Sequence, residues 1–159
     1  MTEIALAPAR PDEARALARA SRDWIESGLP WRYTPGRLAQ LIAHPDVLVL
    51  VARAETRLAG FAALELTFQE RRAHLTLLAV SPERRRQGVG RALLSWMEPI
   101  VRLGGIERIS LEVRQARVEA RAFYRAHGYV ELGHSPGYYD GKEDAIRMER
   151  ALLRRVLRT

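Results

Sequence analysis

The hydrophobic positions in the N-terminal half of the chain predict two helices and then three strands. A weakly alternating segment from Glu3 to Ala9 suits an edge strand, and Pro11 then opens a segment with helical spacing. Its apolar stripe comprises Ala14, Leu17, Ala18, Ser21, Trp24 and Ile25, before Gly28 and Pro30 end the helix. A second short helix begins at Thr34 and Pro35 and turns Leu38, Leu41 and Ile42 inward. Segments 46–53, 58–68 and 73–80 are rich in Val, Leu and Ala, which predicts strands.

The C-terminal half alternates between helical and strand patterns. Helices are predicted from Gly90 to Leu103 and from Val118 to Ala126, on either side of a strand from Ile106 to Arg114. Two last strands, Tyr129 to Leu132 and Asp144 to Ala151, are joined by a loop from Gly133 to Lys142. The order β-α-α-β-β-β-α-β-α-β-β predicts an α/β fold of the α+β sandwich type. Its mixed, mostly antiparallel sheet would carry helices on both faces, with strand 106–114 parallel to strand 73–80.

Length and composition narrow the class of protein. With 159 residues and 47% apolar residues, the chain is expected to form one domain over residues 1–159. It contains no cysteine, which excludes disulfides, thiolate metal sites and an acyl-cysteine intermediate. The apolar runs are too short to span a bilayer and the first residues lack a signal-peptide pattern, so we expect a cytoplasmic protein without membrane contact. The oligomeric state, monomer or homodimer, stays open.

The charge balance favours anionic ligands without indicating a nucleic-acid reader. The formal net charge is +7, yet the basic residues are nearly all arginines dispersed among acidic residues, and Lys142 is the only lysine. No helix-turn-helix, RNA-recognition or zinc signature is present, so we expect no sequence-specific nucleic-acid binding. The four histidines, His44, His74, His127 and His134, lack metal-ligand spacing and are interpreted as caps or surface residues. We therefore expect no metal.

The strongest chemical signal lies between the third strand and the long helix. The segment Arg84-Arg85-Arg86-Gln87-Gly88-Val89-Gly90-Arg91 joins them. A helix start leaves backbone N–H groups unpaired, glycines let a ligand approach closely, and arginines add charge-assisted contacts. Together these features predict a phosphate or pyrophosphate site.

A dinucleotide site is an alternative for the same segment. Gly88-x-Gly90 lies between a strand and a helix, and Glu112 follows Gly90 by 22 residues, near the end of the next strand. However, Leu93 stands where the third glycine of that fingerprint belongs. Seven residues, Ser81 to Gln87, also separate the strand from the first glycine. The tight dinucleotide turn is therefore disfavoured.

Three segments together resemble the GCN5-related N-acetyltransferase (GNAT) family. Residues 85–90 resemble the family's acetyl-CoA pyrophosphate loop, Gln/Arg-x-x-Gly-x-Gly/Ala. Leu111-Glu112-Val113-Arg114, followed by Ala120-Arg121-Ala122-Phe123-Tyr124 and His127-Gly128-Tyr129, is similar to its second signature. Tyr138-Tyr139-Asp140-Gly141-Lys142-Glu143-Asp144-Ala145-Ile146-Arg147-Met148 is similar to the tail of the branch that acetylates protein N-termini, including a ribosomal-protein alanine. The resemblance covers roughly the C-terminal half.

The resemblance implies a role for particular residues. The cofactor would be acetyl-CoA, held by the backbone of Leu78, Ala79 and Val80 and by Arg85, Arg86, Gln87, Gly88, Val89, Gly90 and Arg91. Arg117 stands where the family usually has an asparagine that contacts the cofactor, and an arginine cannot accept a hydrogen bond. Tyr124 would be the general acid and Glu112 the base, directly or through water. Trp31, Tyr33, Tyr138 and Tyr139 would line the acceptor.

The chemistry of the amine favours an α-amino acceptor. A free α-amine has a pKa of about 7.7 to 8.0 and a lysine about 10.4, so deprotonating lysine costs roughly 3 kcal/mol more. A carboxylate is a poor base for lysine, which agrees with a protein N-terminus attacking directly in a ternary complex. Two alternatives stay open: an enzyme of the same family that acetylates a small amine such as an antibiotic, polyamine or amino acid, and a non-catalytic module that binds CoA or a nucleotide.

Overall fold

A computed structural model describes residues 3–152 and contains four helices and seven strands within that range. The helices are α1 (Ala14–Trp24), α2 (Pro35–Ala43), α3 (Val89–Leu103) and α4 (Val118–Ala126). The strands are β1 (Ile4–Pro8), β2 (Val47–Ala54), β3 (Arg57–Thr67), β4 (Arg72–Val80), β5 (Arg108–Arg114), β6 (Val130–Tyr139) and β7 (Glu143–Ala151). No helix of residues 3–152 is long and apolar enough to cross a membrane.

Strand pairing confirms the predicted fold class. The hydrogen-bonded order is β1-β2-β3-β4-β5-β7-β6. The pairs β1/β2, β2/β3, β5/β7 and β6/β7 are antiparallel, whereas β4 and β5 are parallel as predicted. The chain forms two compact units, and β4 contributes to both. The first contains the described residues up to Leu66 together with Leu75–Met97, and the second contains Thr67–His74 together with residues 98–152.

The core of the first unit forms where α1 and α2 bury their apolar stripes. Leu17 and Ala18 of α1 and Leu38 of α2 pack with Phe61 and Leu77, all at most 2% exposed. Fully burying an aliphatic or aromatic side chain of this size contributes about 1.5 to 3 kcal/mol. The predicted stripe of α1 is therefore confirmed, although Trp24 and Ile25 at its end are only half-buried.

In the second unit, β5 alternates as predicted. Ile109, Leu111 and Val113 are buried, and Ser110, Glu112 and Arg114 lie on the other face. The parallel ladder pairs Arg72–His74 of β4 with Arg108–Ser110 of β5.

The predicted loop from Gly133 to Lys142 is wrong. Strand β6 continues to Tyr139, and only Asp140, Gly141 and Lys142 form the turn. Its glycines and proline are accommodated by register irregularities against β7, between Glu131 and Gly133 and between Ser135 and Tyr139. Asp140 and Gly141 close the turn with φ of 57° and 69°. Pairing with β7, which the local sequence does not reveal, makes this segment a strand although its composition is typical of a loop.

Candidate active site

A close approach of three segments in the first unit positions the start of α3. A Cβ built on Gly60 of β3 would lie 2.6 Å from the carbonyl oxygen of Ala79 and 2.9 Å from Cγ1 of Val89. Only glycine therefore allows β4 and the first residue of α3 to pack this tightly on β3. The amide of Ser81 also donates to the carbonyl of Ala59 at 2.8 Å, which holds the end of β4 in place.

The connection from β4 to α3 has an unusual backbone. Pro82–Arg84 form a 3-10 turn, and then Arg86 and Gly88 both adopt left-handed conformations, with φ of 64° and 85°. Arg85, between the turn and Arg86, is extended, with φ of −65° and ψ of 148°. Left-handed residues at alternate positions are typical of backbone concavities that bind anions, and we call residues 85–88 the concavity. Nothing lies within 4 Å of a Cβ built on Gly88, so the space above it is open. This backbone lies immediately before α3, which begins at Val89.

The arginines of this connection divide by their partners. Arg84 approaches Glu55 at 3.9 Å, whereas Arg85 and Arg91 are exposed and form no ion pair with any residue in the range 3–152. Gln87 donates its side-chain amide to the carbonyl of Glu83 at 3.1 Å. The concavity is thus flanked by two arginines whose charge is available to a phosphate group.

The C-terminal residues of β4 lie in the same unit as this concavity. Leu77 and Ala79 are buried, and Leu78 and Val80 are half-buried on the alternate face of the strand. Thr76, on that same face, donates its hydroxyl to Glu65 of β3. Leu78, Ala79 and Val80, which are expected to hold the pantetheine arm of acetyl-CoA through their backbone, therefore lie on a regular strand.

In the second unit, Glu112 is half-buried and lies beside a histidine. Its Oε2 is buried without a hydrogen-bond partner in the described chain, 3.5 Å from Nε2 of His74. Nδ1 of that histidine lies 3.0 Å from the hydroxyl of Ser110. A buried carboxylate oxygen without a donor is costly, and such oxygens are a mark of functional sites. The side chain of His74 is 39% exposed, so it is a surface residue as expected that also lies beside this carboxylate.

Arg114 is not the partner of Glu112. It forms a two-point ion pair with Glu143, whose carboxyl pKa this guanidinium lowers. Arg117 forms the N-cap of α4, and its charge also lowers the pKa of Glu143. Among the described residues, His74 is therefore the side chain that lies against the carboxylate of Glu112.

Tyr124 is almost fully buried on α4. It packs edge-on against Tyr129 at 5.6 Å and Phe123 at 5.3 Å between ring centroids. Burial raises the pKa of its hydroxyl well above the ordinary value for tyrosine, and the nearby Tyr139 adds to this. The phenol is therefore protonated throughout the neutral range, as a general acid must be. The raised pKa of the Tyr124 hydroxyl is also further from the pKa of a thiol than the ordinary tyrosine pKa is.

The hairpin of β6 and β7 contains Tyr138 and Tyr139, the two tyrosines expected to line the acceptor. Their rings pack edge-on at 4.9 Å, with Tyr138 exposed and Tyr139 half-buried. Burial raises the pKa of Tyr139, and the charge of Glu112 raises it further. Asp144 braces the hairpin by accepting from the amide of Gly137 at 2.7 Å and bonding to His134 at 2.9 Å.

Trp31 and Tyr33 belong to the first unit, where a buried carboxylate orders their loop. Glu26 accepts from the hydroxyl of Ser21 at 2.8 Å and from the amides of Arg32 and Tyr33 at 2.6 and 3.3 Å. The indole N–H of Trp31 donates to the carbonyl of Ala18 at 3.2 Å. The loop between α1 and α2 is thus a defined surface.

The structure adds His74 and Gly60 to the residues of interest, and the sequence alone assigned neither of them to the candidate site. His74 had a detectable signal, because it is a polar residue at an alternate position of an apolar strand predicted to run parallel to β5. Gly60 had a weaker one, a glycine inside a strand, which indicates close backbone approach.

Comparisons with known proteins show the family and the fold. The sequence profile described as "Acetyltransferase (GNAT) family" matches residues 15–129. The [ribosomal protein bS18]-alanine N-acetyltransferase of Escherichia coli K12 is 38% identical over 95 residues, which is 58% of this chain and 63% of that protein. The N-terminal acetyltransferase B complex catalytic subunit NAA20 of Arabidopsis thaliana is 34% identical over 84 residues, 52% of this chain and 48% of that protein.

Among solved structures, the ribosomal-protein-S18-alanine N-acetyltransferase of Escherichia coli superposes with a TM-score of 0.83 at 25% identity. That comparison covers 97% of both chains.

Proposed function

The chain belongs to the GNAT family of acetyltransferases, and from this membership we propose that it transfers the acetyl group of acetyl-CoA to a primary amine, specifically a protein or peptide N-terminal α-amine. One observation carries the catalytic part of the proposal. Glu112 of β5 has a buried carboxylate oxygen without a hydrogen-bond partner in the described chain, 3.5 Å from Nε2 of His74 on β4, and this oxygen can accept a proton from the amine.

The residues of the first unit fit acetyl-CoA. The concavity at Arg86 and Gly88, with the guanidinium groups of Arg85 and Arg91 that no described carboxylate pairs, suits a diphosphate. Leu78, Ala79 and Val80 would bind the pantetheine arm of acetyl-CoA through their backbone. Considered by itself, Arg117 of the second unit stands at a position where the family contacts the cofactor. Bound acetyl-CoA supplies an activated thioester.

Glu112 accepts the proton of the amine, directly or through one water. Nε2 of His74 lies 3.5 Å from the same oxygen. An α-amine needs the removal of a proton with a pKa of about 8, so at pH 7 the cost is about 1 kcal/mol. A lysine would cost roughly 3 kcal/mol more. This difference supports an α-amine as the acceptor.

Tyr124 holds the proton that the departing sulfur needs. Because burial raises its pKa, the phenol stays neutral until the leaving group develops negative charge. Since the chain has no cysteine, an acyl-cysteine intermediate is excluded and direct attack in a ternary complex is the simplest course.

The choice of acceptor rests on the relatives and on the aromatic residues. The names of two relatives state acetylation of a ribosomal-protein alanine and of protein N-termini. Tyr138 and Tyr139 would contact the acceptor from a braced hairpin, and Trp31 and Tyr33 from an ordered loop. Aromatic side chains of this kind offer large contact area with a polar tip, which suits peptide binding.

An acetyl-transfer assay tests the proposal directly. Thermal shift with acetyl-CoA, CoA and NAD first identifies the cofactor, and a panel of N-terminal peptides, lysine peptides and small amines then identifies the acceptor. We expect stabilisation by acetyl-CoA and CoA, and the fastest transfer to N-terminal peptides. Fastest transfer to a polyamine or an antibiotic would show that the acceptor is a small amine and not a protein N-terminus. Stabilisation by NAD alone would refute the proposal.

Two variants test the catalytic residues. Tyr124→Phe should lower kcat by about 10²-fold and leave acetyl-CoA affinity nearly unchanged, since removing a general acid typically costs 10² to 10⁴ in rate. Tyr129→Phe is the matched control, because it removes a hydroxyl that is buried and unpaired within the described chain, from a ring packed against Tyr124. Glu112→Gln should also lower kcat, because it removes the proposed base. Equal turnover of the Tyr124 variant and its control would exclude that residue from the mechanism.

A further inference from the structure

Arginines in this chain differ in whether a carboxylate neutralises them. Several form ion pairs, for example Arg53 with Glu13 and Arg150 with Glu98. Four exposed arginines between residues 15 and 37 have no ion-pair partner within the described chain: Arg15, Arg19, Arg32 and Arg37. The proposed acetyl transfer accounts for Arg85 and Arg91 but assigns nothing to these four.

The first part of this surface is a stripe on α1. Arg15, Arg19 and Arg22 recur at i, i+4 and i+7, which places them on one side of the helix, and all three are exposed. The opposite side, with Leu17, Ala18 and Ser21, is buried. Arg22 pairs with the adjacent Asp23 at 2.8 Å, so it is the only arginine of the stripe with a counter-charge in the described chain.

The second part is the loop after α1, with the start of α2. The guanidinium of Arg22 lies 5.2 Å from the ring centroid of Trp31, and that of Arg37 lies 4.5 Å from the ring of Tyr33. The indole of Trp31 is bonded to the carbonyl of Ala18, the residue before Arg19, so loop and helix form one continuous surface. Stacking on aromatic rings restricts these guanidinium groups before any partner arrives.

The acidic residues of this region are unable to neutralise the surface. Glu13 and Glu26 are buried, the first pairing with Arg53 and the second accepting backbone amides. Asp12 is exposed but pairs with Arg10. The charge of the four arginines is therefore directed at solvent.

We propose that the surface formed by Arg15, Arg19, Arg22, Arg32 and Arg37, here called the α1–α2 basic surface, binds the phosphate backbone of double-stranded nucleic acid without reading its sequence. The contact is independent of the acetyl-transfer chemistry. Arginine is well suited to it, because its planar fork donates two hydrogen bonds to one phosphate.

The spacing of the stripe favours phosphates over an acidic peptide. Arg15 and Arg22 are seven residues apart, about 10 Å along the helix axis at 1.5 Å per residue. A nucleic-acid strand carries one phosphate per 3.4 Å of duplex axis, so about three phosphates lie along that length, whatever the base sequence. An extended peptide presents side chains on one face roughly every 6.6 Å and would supply about two, only where both are acidic.

The test compares two variants of equal charge. The surface variant is R15Q/R19Q/R32Q/R37Q, and its control is R57Q/R71Q/R72Q/R108Q, which removes four other exposed arginines that have no proposed catalytic or cofactor role. The affinity of the full chain for a fluorescent duplex RNA and a duplex DNA is measured from 50 to 300 mM salt. Each lost phosphate contact should reduce the slope of log affinity against log salt by about 0.9. We therefore expect the slope to fall by about 3 to 4 units in the surface variant and by less than one in the control.

Several outcomes decide the proposal. A flatter salt slope in the surface variant alone, on duplexes of several sequences, supports it. Equal losses in both variants would show that only net charge matters and would overturn it. Poly-glutamate binding as tightly as the duplexes, with the same dependence on the surface variant, would assign the surface to an acidic protein instead. The far-UV spectrum and the melting temperature should be unchanged in both variants, which shows that they are folded.

Discussion

Replacing Gly60 by alanine tests how tightly β3, β4 and the start of α3 are packed. The added Cβ would lie 2.6 Å from the carbonyl oxygen of Ala79, 0.8 Å inside the 3.4 Å at which ordinary contact begins, and 2.9 Å from Cγ1 of Val89. The nearest atom belongs to the backbone, so no side-chain rotation relieves the clash. Either β3 moves away from β4, or the carbonyl of Ala79 is displaced.

Overpacking of this kind costs about 1 to 3 kcal/mol. At 2 to 4 °C per kcal/mol for a chain of this size, the melting temperature should fall by roughly 2 to 12 °C. Ala79 is also one of the three residues proposed to bind the pantetheine arm, and Val89 begins the helix after the phosphate-binding concavity. We therefore expect acetyl-CoA affinity to fall as well, by about tenfold if 1.4 kcal/mol of the strain reaches the site.

Differential scanning calorimetry and titration calorimetry measure the two effects. Gly36→Ala is the matched control, since it adds the same methyl group in α2 where nothing lies within 4 Å of the new Cβ. Its stability should stay level or rise by about 0.5 to 1 kcal/mol, because alanine favours a helix over glycine. A Gly60→Ala protein with wild-type melting temperature and affinity would show that the approach of β4 is not tight. Loss of stability with unchanged affinity would separate this packing from the cofactor site.

Three further predictions concern the concavity and the buried charges. Gly88→Val places a β-branched residue at φ 85°, which such residues rarely adopt. We expect calorimetry to show no binding of acetyl-CoA, while the far-UV spectrum stays unchanged. Measurable affinity for acetyl-CoA would contradict the role of the concavity. Burial raises the pKa of three tyrosines, so the folded state holds their protons more tightly and its stability is lost as pH rises past their ordinary value of about 10; urea midpoints between pH 8 and 11 should fall, and a flat profile would refute this. The three are Tyr124, Tyr129 and Tyr139. Arg150→Met removes the ion-pair partner of the buried Glu98 and should lower the free energy of unfolding by about 3 kcal/mol at pH 7. The loss should be smaller near pH 4, because burial raises the pKa of the Glu98 carboxyl. The double variant Glu98→Gln/Arg150→Met should recover part of the lost stability.

The order and kind of the elements could be predicted from the sequence because those signals are local. Helical spacing marked α1, and its burial follows that spacing as far as Ser21. The period of two in β5 was enough to assign Leu111 and Glu112 to opposite faces of the sheet. The glycines and arginines between β4 and α3 likewise indicated an anion site, since backbone freedom and charge are properties of the residues themselves.

Other features depended on partners distant in the chain. The segment from Gly133 to Tyr139 resembles a loop by composition, yet pairing with β7 makes it a strand. His74 lies 38 residues before Glu112, and only the parallel register of β4 and β5 brings their side chains within 3.5 Å. Arg114 could have paired with Glu112 by proximity in sequence, but its geometry matches Glu143 instead.

The sequence by itself therefore determined the elements, the fold class and the chemistry available to each segment. Only the tertiary structure decided which charges neutralise each other, which carboxylate oxygen stays unpaired among the described residues and where a glycine is sterically required. The physical reason is that propensity and periodicity act over a few residues, whereas pairing, burial and pKa depend on atoms that folding brings together from distant positions.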